Sequence, residues 1–119
     1  MAEEDISVAR QLFKAKKYAY ALFFCHLAIE KMLKAVVVKK TQDHASWTHN
    51  LPFLAGRANL ALDKSDMEFL AEMTRWNLEA RYPSDIETLK KSATNLEVQG
   101  KFKRTEEFLK WLKKQLSES

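Results

Sequence analysis

Apolar residues recur along most of the chain at steps of three and four, a period that predicts helices and no strands. Over residues 3–15, Ile6, Ala9, Leu12 and Phe13 share one side, and Glu4 or Asp5 suits the positive end of that helix. From 18 to 40 nothing interrupts the pattern. Leu22, Cys25, His26, Ile29, Met32, Leu33, Val36 and Val37 form one stripe, which predicts a single long helix. Tyr20, Phe23, Phe24 and Leu27 lie off that stripe, so the first half is apolar all round and is either central or an interface. Glu30, Lys31 and Lys34 give the second half a polar arc, with Glu30 and Lys34 four apart, and the helix is expected to surface there.

Residues 41–48 are polar, with Asp43, His44 and Ser46, and are expected to form a loop; Asn50 then caps a short helix carrying Pro52 at its second position. Ser65 and Glu68 fit a capping box for a fourth helix that continues through Leu70, Met73, Trp76 or Asn77, and Ala80, and stops before Pro83. Residues 84–93 are ambiguous, since Ser84 and Glu87 also fit a box. Val98, Phe102, Thr105, Leu109, Leu112 and Leu116 mark a last helix over 94–116, with Thr94 and Glu97 as its box and Gly100 inside it at some cost. The expected fold is all-α, an up-and-down bundle of about five helices in one domain over residues 1–119.

Two glycines and two prolines in 119 residues are too few for a turn-rich β fold, which supports the same conclusion. The net charge of +4 permits an acidic or nucleotide partner without demanding nucleic acid. Cys25 is the only cysteine, so a disulfide framework is excluded and the cytoplasm is the expected location. The acidic start is unlike a signal peptide, and residues 18–29 are too short an apolar run for the roughly 20 residues of a membrane span.

Chemistry is sparse in this pattern. Cys25 and His26 are consecutive on a helix and do not face one point, so no metal spacing is found, and neither a nucleophile elbow nor a phosphate loop is present. Lys90, Lys91, Lys101, Lys103, Arg104, Lys110, Lys113 and Lys114 outnumber the acids near the last helix, but interleaved acids favour a solvated face over a nucleic-acid stripe. Asn77 and Arg81, four apart at the end of the fourth helix and followed by Tyr82, form the one polar constellation that stands out. Arg81 could bond the last carbonyls of its helix, pair with Glu30, or grip a phosphate.

CHLAIEKMLKA on the long helix, THNLPFL after the loop, EARYP before the proline and the terminal EFLKWLKK together resemble the HEPN domain family over nearly the whole chain. The resemblance implies a helical bundle that commonly dimerises, often beside a minimal nucleotidyltransferase. It also implies a link to nucleotide binding or, in one branch found in toxin systems, to metal-independent RNA cleavage. That branch places a histidine after an arginine with four to six residues between them. Arg81 meets Ile86, Glu87 and Thr88 at those distances, and no other arginine passes the test. The expected function is therefore a non-catalytic module that binds a nucleotide or RNA, or supports a nucleotidyltransferase in a toxin–antitoxin-like system. A ribonuclease using Arg81 with His49, and a purely structural dimerisation unit, are the alternatives. The expected ligand-binding residues are Glu30, Lys31, Lys34, His49, Asn77, Arg81 and Tyr82; no cofactor or metal is implied, and a homodimer is the expected assembly.

Overall fold

Between Tyr18 and Thr41 there is neither glycine nor proline, and straight-chain and alanine residues keep the local cost of helix low. In the computed structural model, which describes residues 2–42 and 48–118, this stretch forms α2 (Tyr18–Thr41). It follows α1 (Ala2–Lys14), whose first turn carries Glu3, Glu4 and Asp5 and whose last carries Lys14, both favourable to the helix dipole. Between them Lys16 takes a left-handed φ of 62°, and the Lys17 N–H reaches back 2.9 Å to the Leu12 carbonyl, which reverses the chain at once. No side chain caps the start of α2, so packing holds it; its end is closed by Gln42 at φ 58°, whose N–H bonds the Val38 carbonyl.

The remaining elements are α3 (Leu51–Arg57), α4 (Lys64–Thr74), a 3-10 turn at Leu78–Ala80, α5 (Pro83–Ser92) and α6 (Asn95–Glu118). The described residues thus hold six α-helices and no strand, an all-α fold. The helix beyond the expected five is α5, and Pro83 in its first turn starts it; no side chain caps it, so the Ser84–Glu87 box does not form. At α6 only half of the expected box is made, the Glu97 N–H donating to Thr94 Oγ1 at 3.4 Å.

Side-chain links give the helix directions. Asn95 donates to Tyr18 Oη and Lys39 donates to the Leu116 carbonyl, and each pair is separated by 77 residues, so α6 runs parallel to α2 in constant register. Asp5–Lys31 sets α1 antiparallel to α2, and Arg10–Glu106 with Glu3–Lys113 sets it antiparallel to α6. Lys101–Glu72 and Arg104–Asp66 do the same for α4. Helices α1, α2, α4 and α6 therefore alternate up and down. Lys101, Arg104 and Lys113, three of the six bases of the run on α6, are engaged in these pairs.

The α2 stripe is the axis of the core. Leu22, Cys25, Ile29, Leu33, Val36 and Val37 are buried against Ala9, Leu51, Leu54, Leu70, Met73, Val98 and Leu112. Each such aliphatic side chain contributes roughly 1.5–3 kcal/mol by leaving water. No helix of the described residues is long and apolar enough to cross a membrane.

Two features of α4 differ from expectation. Its capping box is Asp63 with Asp66, not Ser65 with Glu68: Asp63 Oδ1 accepts from the Asp66 N–H at 2.8 Å, and the Asp66 carboxylate accepts from the Asp63 N–H. And it stops at Thr74 instead of continuing through Ala80. The Met73 carbonyl, which a continuing helix would give to the Asn77 N–H, accepts from the Trp76 N–H at 3.1 Å and from the His26 ring at 3.1 Å. Thr74 Oγ1 bonds back to the Leu70 carbonyl and accepts from the Leu51 N–H. Asn77 and Arg81 consequently do not share a helix face.

Candidate functional site

On α2, His26, Glu30 and Lys34 stand four residues apart and so share one face, which looks onto the end of α4 and the entry of α3. The entry is tied down from both sides. Thr48 Oγ1 accepts the Asn50 N–H, Asn50 caps α3 through the Phe53 N–H as expected, and buried Leu51 is tethered to Thr74. His49, held between these anchors, lies over Glu30.

Glu30 is the centre. The arc predicted to be solvated is not solvated there: Glu30 is 7% exposed. Its Oε1 accepts from His49 Nδ1 at 2.7 Å and from His26 Nε2 at 3.1 Å, and its Oε2 from Lys34 Nζ at 3.1 Å. Burial pushes the Glu30 carboxyl up, but the hydrogen bonds from His26, His49 and Lys34 outweigh it and hold the group at about 2. His26 is wholly buried, and because a carbonyl only accepts, its Nδ1 must carry the hydrogen given to Met73. Lys34 and His49 instead reach the surface, their side chains 26% and 49% exposed. The result is a buried carboxylate holding two cationic or hydrogen-donating groups at the solvent boundary, with the His49 Nε2 turned away from Glu30.

Of the residues expected to bind ligand, the structure brings together Glu30, Lys34 and His49. Lys31 points the other way, its Nζ 2.8 Å from Asp5 on α1. Arg81 is not paired with Glu30; its guanidinium donates to the Arg75 carbonyl at 3.2 Å, at the end of α4. Tyr82 beside it is 78% exposed, and Asn77 is buried, with its Oδ1 unpartnered among the described residues. The member that sequence reasoning missed is His26, assigned only to the apolar stripe. Its spacing of four from Glu30 was a visible signal, whereas the approach of His49 was not, because it depends on how α3 enters. His44, with the rest of residues 43–47, lies outside the described residues.

Comparison with known proteins yields one finding. A family model described as HEPN domain matches residues 1–115, whereas no curated protein and no solved structure matches the chain. A match of that extent, on an all-α bundle with AIEK on its central helix and ARYP after α4, leads to one conclusion: the chain belongs to the HEPN domain family.

Proposed function

We propose that this chain is a non-catalytic HEPN module that binds a phosphate-bearing ligand, a nucleotide or an RNA segment, at the solvent edge of the Glu30 cluster. The observation that carries it is the pair Lys34 and His49, both positioned by one buried carboxylate and both still open to water. Donors whose geometry is set in advance lose less freedom when an anion arrives. Arg81 and Tyr82, exposed beyond α4, supply a planar fork and a ring of the kind that phosphate and base use. The half-buried face of Phe23, Phe24 and Leu27, with Tyr20, suits a second copy or a nucleotidyltransferase partner.

Titration of wild type, Lys34→Ala, His49→Ala and Arg81→Lys with a nucleotide and with a short single-stranded RNA tests this. The expected result is saturable binding that weakens about tenfold in each variant and weakens further with salt. Absence of saturable binding, or equal affinity in all four proteins, overturns it. The Glu30–His49 hydrogen bond also favours the ribonuclease alternative, since it orients an imidazole as a proton-transfer group requires. RNA cleavage lost in His49→Ala would establish that reading instead.

A further inference from the structure

One ring nitrogen of His26, a Glu30 carboxylate oxygen and one ring nitrogen of His49 all lie within 4.8 Å of one another, with His26 Nε2 and His49 Nδ1 facing Glu30, and each residue comes from a different turn or element. Since the Met73 carbonyl takes the hydrogen on His26 Nδ1, the neutral form of that ring presents a bare nitrogen lone pair to Glu30 Oε1 at 3.1 Å. Two acceptors at that distance repel unless a positive charge lies between them. A metal ion supplies such a charge, and a ligating histidine usually has its other ring nitrogen donating to a backbone carbonyl, as His26 does.

We propose that His26, Glu30 and His49 form a binding site for a divalent first-row transition metal of the zinc type. The ligand set is two imidazole nitrogens and one carboxylate oxygen, a combination that suits such ions and not calcium or magnesium. Spacing agrees. Tetrahedral zinc with bonds of about 2.0–2.1 Å holds neighbouring ligand atoms about 3.3 Å apart; the two separations to Glu30 are 2.7 and 3.1 Å and all three ligand atoms lie within 4.8 Å, so closing on an ion needs side-chain adjustments and no movement of a helix. Three protein ligands leave a fourth position for water, and His49, half exposed, is the ligand that reaches solvent. Lys34 is the opposing feature: its ammonium sits on the other Glu30 oxygen and repels an incoming cation.

That opposition makes the test decisive. The inference stands apart from the phosphate reading although the two share residues, because Lys34→Gln acts on them in opposite directions. Tag-free, chelator-treated protein is titrated with zinc by calorimetry and with cobalt by absorption, which reports coordination geometry. The expected result is one zinc per chain, a cobalt spectrum of low coordination number, and affinity lowered about a hundredfold or more in His49→Gln, beyond what loss of an outer partner costs. His49 is half exposed and its replacement leaves the core intact, so the outcome does not depend on a buried variant folding. Lys34→Gln should bind zinc several-fold more tightly while binding nucleotide more weakly. No zinc uptake by wild type, or equal uptake by His49→Gln, overturns the metal site and leaves the phosphate reading untouched; tight zinc with no nucleotide binding does the reverse.

Discussion

Cys25 sits at the crossing of α2 and α6, and burial there pushes its thiol up to about 12, with a weaker opposing contribution from a hydrogen bond with Thr105. The neutral thiol is thus the folded form at any physiological pH, and a thiol reagent at about pH 8 should leave Cys25 unmodified until denaturant is added. Rapid modification of the native protein would contradict its burial. Because the folded value lies above the ordinary 9.0, the contribution of Cys25 to stability is complete below that value and is lost as pH rises through about 12. Its core role was legible from the stripe alone. Glu30 was not legible in the same way: on a helical wheel it is one more charge beside Lys34, and its burial follows from His26 four residues back and His49 nineteen residues on. Only the first of those partners is local, so the sequence pattern could reveal at most half of the site.

At the level of the helix, the start of α4 shows how two equally good signals compete. Asp63 with Asp66 and Ser65 with Glu68 have the same spacing, and the first pair makes the box while Ser65 accepts a hydrogen bond from Arg104 on α6. Asp63→Ala should therefore cost about 1 kcal/mol in denaturant unfolding, and Ser65→Ala only a few tenths; the opposite order would return the cap to Ser65. The end of α4 departs from expectation for a different reason. Period continues past Thr74 on paper, but the Met73 carbonyl is claimed by His26 and by a tighter turn, and such tertiary competition leaves no mark in periodicity. Gly100, inside α6, has ordinary backbone angles, and a Cβ there would meet nothing within 4 Å. Gly100→Ala should accordingly stabilise the protein by about 0.5–1 kcal/mol, and thermal melts that show no gain would point to a constraint on this helix from outside the chain.

For the whole molecule, the all-α class followed from pattern, while the sixth helix, α5, and the packing partners of each face did not. Tyr20 is 39% exposed and Phe23 and Phe24 stack edge to face at 5.5 Å without being fully covered. If that face meets a second copy, sedimentation should give a dimer at micromolar concentration, and Phe24→Glu should convert it to a folded monomer, since a desolvated charge at a contact is costly. A wild-type monomer would remove the interface. The parallel register of α2 and α6 bears on the order in which the bundle assembles. Helices α1 and α2 meet across the turn at 15–17, whereas the links between α2 and α6 each span 77 residues. Loop closure over that distance costs more entropy, so the α1–α2 hairpin should form before the rate-limiting step and α6 should dock after it. In stopped-flow measurements Ala9→Gly should then slow folding, and Val98→Ala should chiefly speed unfolding. Equal slowing of folding by both would mean that the long-range pair is already in place at the barrier, and that the two parallel helices find each other before the hairpin is complete.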